Sequence, residues 1–309
     1  MRRRKSRRLK KRNPPPLRGV KERERAMQIQ TFNLWNPGEA IVEDQTSSAY
    51  TPYLVAYLQE PLRGEEERRP AILICPGGAY CFCSPREGEP IAMQYLARGY
   101  QAFVVYYSIA PSRFPAALKD AAKSMDIIRS NADQWGIEPN SIVICGFSAG
   151  GHLAASMGTM WDCAELRACG LGGEKVRPDA MILAYPVITA KKEYAHEGSF
   201  VALLGAEAIQ REETRNAFSL ETCVNETTPP AFIWHTAEDT CVPPMNSLLF
   251  AQALDQYKVP YSLHIFPKGY HGLSLATAET AEGAQAAVRA DVATWVEESD
   301  EWFQERRSL

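Results

Sequence analysis

Short apolar runs alternate with amphipathic, helix-like segments through most of this chain. The apolar runs are nearly continuous, as expected for parallel strands that are covered on both faces. The strand candidates are residues 53–58, 71–75, 102–107, 142–145, 181–185, 231–235 and 261–266. Alternating β and α units predict an α/β fold with a mainly parallel central sheet and helices on both faces. We expect the β-rich sequence before residue 60 to add antiparallel edge strands.

Proline and glycine mark the ends of the helix-like segments, because proline suits the first turn of a helix and glycine its end. These signals predict helices that open near Pro90 and Pro115, a third over 250–257, and a last, long helix from about Glu279 to Phe303. Residues 187–230 break the alternation. We interpret them as a short insertion near the active site and not as a second domain.

The charge of the chain is divided unevenly. The net charge is −3, but the first 25 residues hold 13 Lys and Arg against two Glu, which leaves −14 on the remainder. A basic segment can bind nucleic acid or an anionic surface. Residues 1–26 hold too few apolar side chains to form a core, so we expect them to be a disordered tail without a catalytic role. Alternatively, translation starts at Met27. Residues 27–309 then form one α/β domain.

The composition indicates in which compartment the protein is found and which kinds of partner it binds. The sequence has no run of 18 or more apolar residues and no secretory signal, so we expect a cytoplasmic protein that does not enter a membrane. Its eight cysteines are then expected to be reduced thiols. The net negative charge of the chain after its first 25 residues argues against nucleic acid as a partner. The sequence does not decide whether the protein forms a homo-oligomer.

The segment Gly146-Phe147-Ser148-Ala149-Gly150 follows an apolar strand directly and leads into a helix of small residues. The G-x-S-x-G pattern alone is weak, but in this context it predicts a nucleophilic serine on a sharp strand-to-helix turn. The turn requires small residues on both sides of Ser148. It also places the hydroxyl at a helix N-terminus, where the Ala149 N–H can meet developing negative charge.

A second glycine motif, Pro76-Gly77-Gly78-Ala79, comes immediately after the strand candidate 71–75. Small residues here let the backbone approach the nucleophile and direct N–H groups at a tetrahedral oxyanion. We predict Gly78 and Ala79 as oxyanion-hole donors, with Ala149 as the third. The alternative is an ordinary Gly-Gly turn.

A serine nucleophile needs an imidazole to take its proton and a carboxylate to orient that imidazole. Of the five histidines, His271 lies in a glycine-rich loop just past the strand candidate 261–266, at the carboxyl edge of the sheet. The others lie on the helix after Ser148, in the insertion, or in strands, where we expect core or surface roles. They are His152, His196, His235 and His264.

The acid should lie between Ser148 and His271 in the chain, since this arrangement runs in the order Ser, Asp or Glu, His. Asp239 fits, because it lies in the loop that follows the strand candidate 231–235. Its neighbour Glu238 is the competing choice. A solvated loop carboxylate is the alternative for both.

Six segments resemble bacterial α/β-hydrolase esterases: ILICPGGAY, REGEP, YSIAP, GFSAGGHLA, HTAEDTCVP and FPKGYHG. The chain is most similar to the acetyl-esterase and acetylxylan-esterase-like group, which is related to the feruloyl-esterase-like (BD-FAE) family and to relatives of hormone-sensitive lipase. The resemblance covers residues 27–300 and implies an α/β-hydrolase domain over 27–309. It implies that the Asp of D-x-x-V-P, here Asp239, is the triad acid. Pro76 and Ala79 depart from the common H-G-G-G motif.

The expected reaction is acyl transfer to water by a Ser148–His271–Asp239 triad through an acyl-enzyme, without metal or organic cofactor. We expect a carboxylesterase for short acyl, chiefly acetyl, groups on small molecules, sugars or xylo-oligosaccharides. A prolyl-oligopeptidase-like peptidase and an arylformamidase-like amidase are alternatives. A catalytically silent binding module on the same fold is the non-enzymatic alternative.

Overall fold

A computed structural model describes residues 27–35, 51–62, 64 and 66–307, and an eight-stranded sheet forms its centre. The predicted tail, residues 1–26, lies outside the described residues. The strands are β1 (Gln28–Asn33), β2 (Tyr53–Leu58), β3 (Arg69–Cys75), β4 (Gln101–Tyr106), β5 (Ile137–Phe147), β6 (Ala180–Ala184), β7 (Ala231–Thr236) and β8 (Tyr261–Phe266). Their order in the sheet is β1-β2-β4-β3-β5-β6-β7-β8.

The two N-terminal strands are antiparallel and the rest of the sheet is parallel. Strand β2 runs antiparallel to both β1 and β4, whereas the pairs from β4 across to β8 are all parallel. The predicted mainly parallel sheet with antiparallel strands at one edge is therefore confirmed. The carboxyl ends of β5, β7 and β8 lie along one edge, where three loops can meet.

Helices cover both faces of the sheet. They are α1 (Glu89–Ala97), α2 (Ala116–Ser130), α3 (Ala149–Thr159), α4 (Ala164–Arg167), α5 (Glu197–Leu204), α6 (Glu212–Ala217), α7 (Met245–Gln256) and α8 (Trp295–Arg307). Helices α2, α3 and α7 pack on one face, and α1 and α8 pack on the other. Leu73 points to the first face and Ile72 and Ile74 to the second, and all three are fully buried. This burial on both sides explains the continuous apolar runs.

The predicted long helix over 279–303 is wrong, because α8 begins only at Trp295. The preceding residues form turns, and Glu282 and Gly283 have positive φ values of 50° and 81°. The Arg289 N–H donates to the Ala276 carbonyl instead of to a helical partner. Alanine favours a helix, but tertiary packing of several buried side chains overrides that preference here. They are Leu275, Ala281, Ala287 and Val292.

The region predicted as an insertion contains the short helices α5 and α6, joined by turns. A small apolar core joins it to the loop after β7: Val187, Phe200 and Ile209 pack with Val242. At its start, the Val187 N–H donates to the Ser148 carbonyl at 3.0 Å. The insertion is therefore attached to the serine turn and to the Asp239 loop.

None of the described helices combines the length and the apolarity that crossing a membrane requires. The eight cysteines are all free thiols, with no disulfide among the described residues.

Candidate active site

Ser148 occupies a strained turn between β5 and α3. Its φ of 53° and ψ of −118° lie where residues other than glycine are rare. Close backbone contacts explain the flanking glycines, because a Cβ on Gly146 would lie 2.1 Å from the Gly150 carbonyl oxygen. A Cβ on Gly150 would lie 2.1 Å from the carbonyl oxygen of Cys75. The turn thus forms only with glycine at both positions.

The structure brings Ser148, His271 and Asp239 together. The Oγ of Ser148 lies 2.8 Å from Nε2 of His271, and Nδ1 of His271 lies 2.6 Å from Oδ2 of Asp239. A carboxylate only accepts hydrogen bonds, so Nδ1 carries the imidazole proton. Nε2 is then free to accept the serine proton. This is the geometry that an activated serine nucleophile requires.

The loop after β8 positions His271. Gly269 and Gly272 have positive φ values of 140° and 83°, which let the chain turn on both sides of the histidine. Glu238 accepts a hydrogen bond from the Gly269 N–H at 3.2 Å, whereas Asp239 contacts the imidazole itself. The two competing carboxylates therefore have different contacts: Glu238 binds the loop backbone and Asp239 binds His271.

Asp239 lies in a buried, donor-rich environment. Its Oδ1 accepts from the N–H groups of Cys241 and Val242, and its Oδ2 faces both His235 and His271. Burial raises the pKa of Asp239, but the hydrogen bonds from His235 and His271 outweigh it and hold the pKa well below its usual range. Asp239 is therefore negatively charged at neutral pH and can stabilise an imidazolium.

Sequence reasoning missed the contact of His235 with the acid. His235 is fully buried at the end of β7, and its Nε2 lies 2.8 Å from the Val242 carbonyl oxygen and 3.2 Å from Asp239 Oδ2. Its Nδ1 lies 2.8 Å from the Ser247 hydroxyl. The signal that could have found it is a polar residue at the end of an apolar strand, four positions before an acidic loop residue.

The loop with the predicted oxyanion donors lies against the serine turn. A Cβ on Gly77 would lie 3.1 Å from the Ser148 Cβ. The N–H groups of Gly78 and Ala79 donate to no other group among the described residues. Ala149 is the first residue of α3, so its N–H has no acceptor within the helix. The N–H groups of these three residues therefore have no acceptor among the described contacts, and they lie on the two segments that meet at Gly77 and Ser148.

The remaining histidines have other partners. His152 is buried beneath the site, with its Nδ1 2.9 Å from the Tyr80 hydroxyl, and burial lowers its pKa to about 4. His196 caps α5 by accepting from the Ser199 N–H. His264 lies on β8 and pairs with a glutamate of α8 at 3.1 Å.

Curated relatives of this chain are named as a xylanase or as esterases. An endo-1,4-beta-xylanase B of Butyrivibrio fibrisolvens is 39% identical over 81% of this chain and 39% of the relative. An acetylxylan esterase of Xylanibacter ruminicola is 31% identical over 72% of this chain and 44% of the relative. The chain thus spans about two fifths of the length of these relatives.

Solved structures match the chain over nearly their whole length. An acetyl ester-xyloside bifunctional hydrolase from Caldicellulosiruptor lactoaceticus has a TM-score of 0.76 and 35% identity, and the match covers 89% of this chain and 96% of that one. The carboxylesterase Cest-2923 of Lactobacillus plantarum has a TM-score of 0.75 and 28% identity, with 92% and 98% coverage. Residues 58–254 match the profile of the BD-FAE family. The chain therefore belongs to the BD-FAE family and has the α/β-hydrolase fold.

Proposed function

We propose that this protein is a serine carboxylesterase that removes short acyl groups, chiefly acetyl, from sugars or xylo-oligosaccharides. One observation carries the proposal: an unbroken hydrogen-bonded series runs from the Ser148 hydroxyl through His271 to Asp239, with distances of 2.8 and 2.6 Å. Such a series makes a serine hydroxyl nucleophilic at neutral pH.

In the first half of the reaction, Ser148 Oγ attacks the ester carbonyl carbon while its proton moves to His271 Nε2. The imidazolium that forms is stabilised by the charged carboxylate of Asp239. The carbonyl oxygen becomes an oxyanion, which accepts hydrogen bonds from the N–H groups of Gly78, Ala79 and Ala149. His271 then gives its proton to the leaving alcohol oxygen, and an acyl-enzyme forms on Ser148.

In the second half, water replaces the alcohol. His271 takes a proton from the water as its oxygen attacks the acyl carbon, and the same three N–H groups hold the second oxyanion. The intermediate collapses to carboxylic acid, and the proton on His271 returns to Ser148 Oγ. All of these steps use groups of this chain and one water molecule.

Two relatives support an acetylated sugar as the substrate. One is named an acetylxylan esterase, and the solved structure at 35% identity is described as an acetyl ester-xyloside hydrolase. The insertion has only short helices and no long apolar lid among its residues, which suits a small acyl group better than aggregated lipid. The acyl length and the sugar are part of the proposal.

The test is a substrate panel on the full chain. It contains p-nitrophenyl acetate, butyrate and octanoate, an acetylated xylo-oligosaccharide, a prolyl anilide and N-formylkynurenine. We expect acetate esters to give the highest kcat/KM, and acetate to be released from the oligosaccharide. Ser148→Ala should lower kcat about a thousandfold or more.

A second buried serine provides the matched control. Ser156 lies on the same helix as the turn and donates to the His152 carbonyl, so Ser156→Ala should keep the wild-type rate. Equal rates in wild type and Ser148→Ala would overturn the proposed nucleophile. A higher kcat/KM for the anilide or for N-formylkynurenine would replace the esterase by a peptidase or an amidase.

A further inference from the structure

Glu87 is a buried carboxylate that the proposed reaction does not use. It ends a short 3-10 turn before α1 and is 4% exposed. Its Oε2 accepts a hydrogen bond from the Gly77 N–H at 2.9 Å, and its Oε1 accepts one from the Tyr185 hydroxyl at 2.6 Å. Gly77 directly precedes the two proposed oxyanion donors of its loop. The carboxylate therefore holds this loop by its backbone.

Tyr185 joins Glu87 to the histidine loop. Its hydroxyl oxygen accepts a hydrogen bond from the Ser274 N–H at 2.9 Å, three residues after His271. Its ring meets the His271 ring edge-on, with the centroids 5.1 Å apart. Tyr185 itself follows β6 with a φ of 35°, a conformation rare for a bulky residue. The backbone is thus strained where it directs this side chain between the two loops.

The direction of each hydrogen bond in this series is fixed. The N–H groups of Gly77 and Ser274 can only donate, so the Tyr185 hydroxyl proton must point to Glu87. Burial and the neighbouring carboxylate raise the pKa of Tyr185 well above its ordinary value, which keeps this proton in place. With Glu87 as a carboxylate, which only accepts, the series has a single arrangement of its protons.

The residue before Glu87 adds a second connection between the same segments. The guanidinium of Arg86 donates to the carbonyl oxygen of Gly272 at 3.1 Å, and the Ser274 hydroxyl donates to the Arg86 carbonyl at 2.6 Å. Two positions just after His271 are thus bound to the segment that carries Glu87.

We propose that Glu87 and Tyr185 act as one positioning unit, which fixes the distance between the oxyanion loop at Gly78 and the catalytic imidazole of His271. The proposal rests on the proposed function, because the unit acts through the oxyanion donors and the triad. Neither residue touches the Ser148 hydroxyl among the described contacts, and both loops are held by their backbone N–H groups.

Substitutions that keep the shape but break the hydrogen bonds test the unit. Tyr185→Phe retains the ring against His271 and removes the hydroxyl. Glu87→Gln can keep an oxygen on the Gly77 N–H only by placing its NH2 against the Tyr185 hydroxyl, which removes the acceptor of that hydroxyl proton. A misplacement of about 1 Å at the reacting groups costs roughly a hundredfold, so we expect each variant to lower kcat about ten- to a hundredfold while KM changes less than about threefold.

The double variant distinguishes one unit from two independent residues. If Glu87 and Tyr185 act together, the kcat of the double variant should lie within about threefold of the kcat of the less active single variant. Affinity for a trifluoromethyl ketone, which forms a tetrahedral adduct, should fall by the same factor as kcat/KM. Tyr95→Phe is the matched control, since it removes an equally buried hydroxyl that lies 2.7 Å from Ser299, in a bond that does not join the two loops.

Different experimental results would overturn the positioning unit and the proposed esterase function. Folded variants with kcat within about threefold of wild type, or single losses that multiply in the double variant, would overturn the unit. A rate loss that only follows the folded fraction, as in Tyr95→Phe, would also overturn it. Equal rates in wild type and Ser148→Ala would instead overturn the esterase assignment.

Discussion

The Nε2 of His235 lies 3.2 Å from Oδ2 of Asp239, the oxygen that also contacts His271. The Val242 carbonyl lies 2.8 Å from the same Nε2, so this nitrogen carries the proton and His235 acts as a donor. A second histidine thus stabilises the charged form of the carboxylate.

We predict that His235→Phe lowers both stability and activity. Phenylalanine keeps the ring but removes the donor, and a lost hydrogen bond to a charged group costs about 1.5–3 kcal/mol. We expect the free energy of unfolding to fall by about this amount and kcat to fall about tenfold. Urea denaturation and p-nitrophenyl acetate hydrolysis measure the two effects.

The control for this prediction is His264→Phe, at a half-buried position on β8 away from the acid. Its kcat should equal that of wild type. If His235→Phe also keeps the wild-type kcat, the contact with Asp239 has no part in the reaction.

We predict that Asp239→Asn lowers kcat by about a thousand- to ten-thousandfold, because an amide can no longer hold His271 in the tautomer with a free Nε2. Glu238→Gln is the matched neighbour. Among the described residues, its exposed side chain accepts from the Gly269 N–H alone. A glutamine oxygen can still accept this bond, which leaves kcat within about threefold. The reverse result would assign the triad acid to Glu238.

The positions of Ser148, Asp239 and His271 at one sheet edge follow from patterns that are local in sequence. Each lies just past a short apolar strand, and parallel strands bring their carboxyl ends together. The contact of His235 with Asp239 could not be predicted, since it depends on how the loop after β7 folds back. The same holds for Glu87 and Gly77, where a side chain from one loop binds the backbone of another.

The predicted helix does not form over residues 279–294, for a different physical reason. Alanine-rich sequence favours a helix, but that preference is a few tenths of a kcal/mol for each residue. The Trp295 indole N–H donates to the Ser274 carbonyl, and the Arg289 N–H donates to the Ala276 carbonyl. These long-range contacts hold the segment against the histidine loop and outweigh the local preference.

We predict that Gly77→Ala lowers kcat/KM about a hundredfold, through displacement of the oxyanion loop. The added Cβ would lie 2.6 Å from Glu87 Oε2 and 2.8 Å from the Phe147 carbonyl oxygen, so the loop must shift. Gly198→Ala in α5 is the control, because its Cβ would meet only ordinary contacts, at 3.5 Å from His196. Steady-state kinetics on p-nitrophenyl acetate compares them, and equal rates would show that the loop position does not limit the reaction.

His152 should make the stability of the protein depend on pH. Burial lowers its pKa to about 4 in the folded state, against about 6.5 in the unfolded chain. The unfolded state therefore binds more protons between these values. The contribution of neutral His152 is fully present above about pH 6.5, and about 3 kcal/mol of it is lost as pH falls to 4.

Asp120 opposes this effect in wild type, so variants must separate the two groups. Burial raises the pKa of Asp120 to about 6, and its contribution is present at low pH and lost as pH rises to that value. The free energy of unfolding of wild type minus that of His152→Gln should therefore fall by about 3 kcal/mol from pH 6.5 to 4. Asp120→Asn should lose more stability than wild type over the same range. Urea denaturation at several pH values measures the free energy of unfolding of wild type and His152→Gln. If the two free energies change with pH in parallel, His152 does not titrate between pH 4 and 6.5.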